Sequence, residues 1–135
     1  MPLLADDGEL FYYPCPCCGY FVFRNPPGSY DICPICFWED DLSQLRFPRM
    51  TGANRVSLIQ GQENFARFGV CEHRLAKHVR TPDTGDVRER NWRPIDPTQD
   101  NIEEISGRED GFDYPLDRTT LYYWREDYWK RQPHQ

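Results

Sequence analysis

The clearest hydrophobic pattern in the chain lies in residues 54–69, NRVSLIQGQENFARFG. The large apolar side chains that share one helical face are Leu58, Phe65 and Phe68. Ser57 stands three residues before Gln60, which is the arrangement of a capping box, and Gly69 follows the last apolar position. The pattern predicts a helix that begins after Ser57 and ends or kinks at Gly69.

Residues 70–80, VCEHRLAKHVR, continue a helical pattern as far as Pro82. Their apolar positions recur at i, i+4 and i+8 and are Cys71, Leu75 and Val79. Cys71, His73 and His78 together would offer three ligands for a second metal ion. His73, however, lies about 200° round the helix from Cys71. We therefore expect Cys71 to be a buried free thiol and the two histidines to face solvent.

Strand-forming residues flank a turn sequence near the N-terminus. The runs YFVFR, residues 20–24, and SYDIC, residues 29–33, are rich in β-branched and aromatic residues. Pro26, Pro27 and Gly28 lie between them and favour a turn. The pattern predicts a β-hairpin with helices packed on it, which is an α+β fold.

An aromatic-rich segment ends the chain after a polar, proline-containing connector. Trp92 is the residue that we expect to hold the connector to the core. Residues 116–131, LDRTTLYYWREDYWKR, predict a helix capped by Asp117 or Thr119. Because its aromatic side chains occupy two faces, this helix either packs on the rest of the chain or presents a surface to a partner.

Four of the six cysteines form two C-x-x-C pairs. Cys15 and Cys18 make the first pair, and Cys33 and Cys36 make the second. Two such pairs in one short segment are typical of a structural zinc site, where four thiolates surround the ion. Each pair would lie in a tight turn, here called a knuckle, at an open end of the predicted hairpin. The spacing therefore predicts a zinc-ribbon-like centre.

Cys17 lies inside the first knuckle, between two of the predicted ligands. Tight geometry makes it a poor ligand for the same ion, so we interpret it as a spare thiol. Gly19 permits the positive φ that is common where the chain leaves a knuckle. Phe37 occupies the corresponding position after Cys36. We therefore expect the chain to leave the second knuckle in a different conformation.

The composition predicts one compact body with an aromatic-rich core. The chain has 135 residues, of which 39% are hydrophobic and 15% aromatic. We divide it into a cysteine-rich domain, residues 1–82, and an acidic, aromatic-rich extension packed on it, residues 83–135. No stretch approaches the roughly 20 apolar residues of a membrane span, and the first residues are acidic where a secretory signal is basic and then apolar. We therefore predict a cytoplasmic protein, in which clustered cysteines bind metal or are redox-active rather than forming disulfides.

The charge is unevenly distributed along the chain. The net charge is −6, but residues 42–80 carry seven basic side chains against two acidic ones. Residues 96–117 carry eight acidic side chains against one arginine. Four thiolates and one zinc ion would change the total to −6 − 4 + 2, or about −8. This acidity makes nucleic acid a less favoured partner than protein.

The cysteine motifs resemble those of a known family. The stretch YPCPCCGY, followed by GSYDICPICFWEDD, NRVSL, NFARFG and KHVR, is similar to the bacterial CPCC family of cysteine-rich proteins, over residues 11–93. The resemblance implies a small zinc-ribbon-like or rubredoxin-like metal domain. It implies no settled activity.

The motifs of common enzymes are missing from the sequence. It has no glycine-rich phosphate loop, no H-E-x-x-H, and no nucleophile with a base placed by a motif. Four thiolates would also close the coordination shell of zinc, whereas catalytic zinc keeps an open position. We therefore expect a zinc-binding protein without enzymatic activity. Two alternatives for the cysteines stay open, namely iron in a rubredoxin-like electron carrier and a C-x-x-C dithiol redox pair.

Two binding functions compete as the role of the whole protein. The favoured one is a protein-interaction module, for example an inhibitor or antidote that docks residues 96–117 on the basic cleft of a nuclease-type toxin. The acidic residues chosen for that surface are Glu103, Glu104, Glu109 and Asp110. The alternative is a nucleic-acid-binding zinc ribbon. Its contact surface would be formed by Arg46, Arg49, Arg55 and Phe47.

Overall fold

A computed structural model describes residues 3–4, 10–11, 13–104 and 114–130. Four short strands form two antiparallel pairs, β1 (Leu3–Leu4) with β2 (Leu10–Phe11) and β3 (Tyr13–Pro14) with β4 (Phe21–Phe23). The α-helices of this part are α1 (Leu42–Arg46) and α2 (Leu58–Phe68), and 3₁₀ helices cover His73–His78 and Arg118–Leu121. The fold is therefore α+β, with much of the chain in turns and bends.

The β3–β4 hairpin encloses the first knuckle rather than joining the two knuckles. β3 ends immediately before Cys15, and Tyr13 pairs with Phe23 in the opposite strand. The predicted strand at residues 29–33 is wrong, since only Ile32 makes an isolated bridge, to Glu39. Gly28 and Tyr30 have φ angles of 98° and 62°, which interrupt an extended strand before the second knuckle.

Helix α2 has the ends that the sequence predicts. The Ser57 hydroxyl accepts a hydrogen bond from the backbone N–H of Gln60 at 3.1 Å. Gly69 has φ 78° and donates its N–H to the carbonyl of Phe65 at 2.8 Å. The predicted apolar face is only partly right, because Phe68 is 43% exposed. The buried residues of α2 are Leu58, Gly61 and Gln62.

The other two predicted helices are much shorter than expected. After Gly69 the chain forms a 3₁₀ helix only at His73–His78, so Cys71 precedes it and shares no helical stripe with Leu75. Near the C-terminus, Asp117 is the predicted cap and accepts from the N–H of Thr119 at 3.0 Å, but the helix ends at Leu121. Residues 121–124 are all buried in succession, which a helix with a solvent face does not allow. Residue 131 lies outside the described residues.

The core is centred on the cysteines. Aromatic residues surround them, and those that are buried include Phe23, Trp38, Tyr122, Tyr123, Trp124 and Tyr128. Leu121, the three aromatic residues after it and Tyr128 thus pack against the cysteine-rich part. The domain boundary at residue 82 stays a prediction. None of the helices in the described residues has the length and apolar character needed to cross a membrane.

Candidate metal centre

The two knuckles bring four sulfur atoms together. The Sγ atoms of Cys15, Cys18, Cys33 and Cys36 all lie within 4.8 Å of one another. The Sγ atoms of Cys15 and Cys36 are 3.6 Å apart, and those of Cys18 and Cys33 are 3.7 Å apart. All four residues are 0% exposed. The predicted ligands therefore form one buried cluster.

The sulfur spacing fits a tetrahedral thiolate site. In such a site, metal–sulfur bonds of about 2.3 Å place neighbouring sulfurs about 3.8 Å apart. Two of the sulfur pairs in the cluster, at 3.6 and 3.7 Å, are close to this edge length, and every pair lies within 4.8 Å. The cluster could therefore hold a metal ion without a large movement of the backbone.

Backbone N–H groups of the second knuckle point at one of the sulfurs. The N–H groups of Ile35 and Cys36 donate to Sγ of Cys33 at 3.3 and 3.4 Å. Burial opposes ionisation of Cys33, but hydrogen bonds from the thiols of Cys15, Cys18 and Cys36 lower the pKa of Cys33 well below its ordinary value. The knuckle thus stabilises a thiolate at this position.

The partners of that thiolate behave in the opposite way. Burial raises the pKa of the Cys15 thiol well above its ordinary value, and hydrogen bonds to Cys18 and Cys33 add to the effect. Burial likewise raises the pKa of Cys36. Because metal-bound cysteines are thiolates, a metal ion would displace protons from these sulfurs on binding.

Cys17 is buried but does not join the cluster of four. It is 0% exposed, and burial raises the pKa of its thiol. Its sulfur points toward α2, where it lies 3.3 Å from the position that a Cβ on Gly61 would occupy. The spare thiol of the first knuckle therefore packs against α2 at Gly61.

Cys71 is also buried, at 1% exposure, and burial raises the pKa of its thiol. Its backbone N–H donates to the carbonyl of Cys36 at 2.8 Å. His73 and His78 are exposed, and their rings lie against Phe68 and Phe37. Within the described residues, the four knuckle cysteines are the only group that could hold a metal ion. The expected buried thiol and exposed histidines are confirmed.

The chain leaves both knuckles in the same left-handed conformation. Gly19 follows Cys18 with φ 86°, and Phe37 follows Cys36 with φ 70°. The expected different exit is therefore wrong. A side chain in this region is strained, which glycine avoids. Phe37 is held there by half-buried packing beside the His78 ring, at 5.3 Å between ring centroids.

Carbonyl groups of the first knuckle accept hydrogen bonds from outside the hairpin. Tyr122 Oη donates to Pro14 O at 3.0 Å, and Arg88 Nε donates to Cys18 O at 2.8 Å. Pro16 O accepts two hydrogen bonds, from Gln62 Nε2 at 2.9 Å and from Trp92 Nε1 at 2.8 Å. The sequence indicates a core contact for Trp92, and that prediction is confirmed. The other three donors carry no local motif, because their partners are distant in sequence.

Arg46 and Phe47 are not available as a nucleic-acid surface. The Arg46 side chain is 4% exposed, and it donates from Nε and Nη2 to both carboxylate oxygens of Glu103 at 3.0 Å. The rings that lie around its guanidinium are Phe47, Tyr114 and Trp129, at 4.8, 4.9 and 5.0 Å. Phe47 is 2% exposed. Arg46 therefore holds the C-terminal part of the chain to α1.

The neighbouring charges are also largely paired. Arg49 contacts Glu104 at 2.8 Å in an exposed ion pair, whereas Arg55 is exposed. Glu103 and Glu104, chosen as part of an acidic docking surface, thus neutralise arginines of the same chain. Glu109 and Asp110 lie outside the described residues.

A groove of about 280 Å³ lies beside the second knuckle. Ile32 and Phe37, which flank the knuckle, contribute to its wall together with Leu75. Ile32 is 47% exposed, although it immediately precedes Cys33. Charged residues at the groove are Glu39, Arg55, Glu72 and Arg74. The knuckle therefore presents the exposed Ile32 side chain beside charged residues of both signs.

A family model described as cysteine-rich CPCC matches residues 13–86, which include both knuckles and α2. The chain belongs to the cysteine-rich CPCC family. No curated protein matches the chain significantly. The match ends before Arg88, Trp92 and Tyr122, so three of the side chains that contact the first knuckle lie beyond the family region.

Proposed function

We propose that this CPCC protein is a zinc-binding, non-enzymatic protein-interaction module. Cys15, Cys18, Cys33 and Cys36 would hold a structural zinc ion. The observation that carries the proposal is the buried group of four sulfurs, which all lie within 4.8 Å of one another. A cytoplasmic location belongs to the proposal, because thiols persist there in the reduced form.

A structural role suits the site better than a catalytic one. Four thiolates complete the preferred coordination of zinc and leave no position for water or substrate. All four cysteines are 0% exposed, so a substrate has no direct path to the ion. The zinc would instead fix the two knuckles, and through them the packing of α2 and the C-terminal aromatic residues.

Metal analysis separates zinc from iron, since both accept four thiolates. The native protein is produced with zinc and iron supplied at equal concentrations, and its metals are quantified by mass spectrometry. We expect one zinc per chain and no visible absorption. One iron per chain with a red colour would instead establish the rubredoxin-like electron carrier. Protein without bound metal would contradict both functions.

Protein binding is supported by the groove at the second knuckle, which combines an exposed apolar side chain with charged residues of both signs. Ile32 is 47% exposed and lines the groove there. The arginine-rich alternative has less support, because Arg46 and Phe47 are buried. Cross-linking in cells tests this groove, by comparing the tagged protein with its Ile32→Asp variant. Val87, which is 41% exposed and does not line this groove, provides the matched control Val87→Asp.

We expect a specific cross-linked protein that Ile32→Asp loses and Val87→Asp retains, with zinc content unchanged in both variants. Equal loss in both, or no loss in either, would contradict binding at this groove. A shift of duplex or single-stranded probes at 150 mM salt would favour the nucleic-acid function instead.

A further inference from the structure

We infer that Gln62, Arg88, Trp92 and Tyr122 are positioning residues of the metal centre, which hold the first knuckle closed and slow the release of the ion. The inference rests on the proposed zinc site. It concerns this chain's own outer layer around the ligands, which the C-x-x-C spacing does not reveal. Outer-layer partners of metal ligands commonly change metal affinity by about 10- to 100-fold.

The donors meet the first knuckle at consecutive points along its backbone. Their acceptors are the carbonyls of Pro14, Pro16 and Cys18. Pro14 immediately precedes the ligand Cys15, Pro16 lies between the two ligands, and Cys18 is the second ligand. The carbonyl of Gly19 is also occupied, by the N–H of Glu89 at 2.7 Å. The backbone that carries both ligands is thus fixed on either side of each sulfur.

The segment after residue 86 lies along β4 and brings two of these donors into place. The N–H of Phe21 donates to Val87 O at 2.9 Å, and Tyr20 forms a bridge with Arg88. The Trp92 ring covers Gly19 so closely that a Cβ there would be 2.7 Å from it. The first knuckle is therefore enclosed by a strand-like segment and an indole ring, in addition to individual hydrogen bonds.

The second knuckle is held differently. The N–H of Cys71 donates to Cys36 O at 2.8 Å, and the N–H of Arg80 donates to Pro34 O at 3.2 Å. The four side-chain donors of the first knuckle bond to Pro14, Pro16 and Cys18 and not to a carbonyl of residues 33–36. The side-chain layer thus belongs to the first knuckle, so changes in that layer should affect Cys15 and Cys18 selectively.

Arg88 adds charge as well as a hydrogen bond. Its guanidinium lies 4.5 Å from the Trp92 ring centroid and 5.1 Å from that of Tyr20. A zinc ion with four thiolates carries a net charge of −2, so a nearby guanidinium lowers the electrostatic cost of the closed site. Loss of this cation should therefore favour release of the ion.

Two buried tyrosines give a matched test. Tyr122 is 3% exposed, and its hydroxyl donates to the Pro14 carbonyl of the first knuckle. Tyr128 is 8% exposed, and its hydroxyl donates to the Asn101 carbonyl. Tyr123 does not serve as the control, because its hydroxyl accepts a hydrogen bond from the Gln62 amide of the positioning layer. Tyr122→Phe and Tyr128→Phe thus remove the same atom from two buried rings, of which one contacts a knuckle carbonyl and the other contacts Asn101.

The experiment measures zinc transfer from the full, zinc-loaded chain to the chromogenic chelator pyridylazoresorcinol. We expect one zinc per chain in every variant and release about 10-fold faster in Tyr122→Phe. Trp92→Phe, which keeps a ring but removes the indole N–H, should show a similar acceleration. Tyr128→Phe should stay within about two-fold of the unchanged protein. The cobalt-substituted forms should show altered visible bands only in the first two variants.

The outcomes separate this inference from the proposed function. A chain that never holds zinc would contradict the proposed function itself. A chain that holds one zinc, but releases it at the same rate in Tyr122→Phe and Trp92→Phe, would overturn only the positioning role. Equal acceleration in Tyr122→Phe and Tyr128→Phe would also overturn it, because general destabilisation would then explain the release.

Discussion

Replacing Glu103 by glutamine should destabilise the fold far more than the same change at its neighbour Glu104. Glu103 is 16% exposed and accepts two hydrogen bonds from Arg46, whose side chain is 4% exposed. Removing one partner of a buried ion pair commonly costs about 3–5 kcal/mol. Glutamine keeps one acceptor, so we expect a loss of about 3 kcal/mol in the free energy of unfolding.

Glu104 provides the control. Its side chain is 65% exposed and pairs with Arg49, which is 49% exposed. Exposed pairs contribute about 0–1 kcal/mol, because water screens the charges. Urea unfolding of the zinc-loaded variants, followed by tryptophan fluorescence, measures both changes. Losses below about 1 kcal/mol in both variants would refute the reasoning, since the Arg46 ion pair would then have no energetic role.

Three further changes test the packing around the knuckles by thermal unfolding of the zinc-loaded protein. Phe37→Gly should be more stable than Phe37→Ala by about 1 kcal/mol, because φ at this position is 70° and only glycine relieves the strain; the usual preference for alanine would contradict this. Gly61→Ala should lower stability rather than give the gain of about 1 kcal/mol typical of helices, since its Cβ would lie 3.2 Å from Trp38 and 3.3 Å from Cys17; a higher melting temperature would show that these neighbours yield. Cys71→Ala should cost about 1 kcal/mol and retain one zinc per chain, because the thiol is buried outside the cluster of four; loss of zinc would show a role in the site.

The sequence predicts which cysteines come together better than it predicts the surrounding backbone. The C-x-x-C spacing identifies all four cysteines of the cluster and separates them from Cys17. This succeeds because ligand spacing is a local property of each knuckle. The capped helix α2 is predicted for a similar reason, since Ser57 and Gly69 determine its ends through short-range hydrogen bonds and backbone conformation.

The errors occur where long-range packing decides the conformation. Leu121 and the three aromatic residues after it have a composition that suits an amphipathic helix, yet all four are buried against the cysteine-rich part. The sequence around Arg46 indicates a surface cation, but its side chain is buried and pairs with Glu103, which lies 57 positions later. The donors to the first knuckle also lie far from their acceptors in sequence, by 46 to 108 positions. No local pattern carries this information, because the partners meet only in the folded chain.

X-ray absorption at the zinc edge tests the central claim most directly. The account predicts one zinc per chain with four sulfur neighbours at about 2.3 Å. The same spectrum should persist in Cys17→Ser, whereas Cys15→Ser should lose a sulfur neighbour or the ion itself. Fewer than four sulfur neighbours in the unchanged protein, or loss of zinc from Cys17→Ser but not from Cys15→Ser, would contradict it.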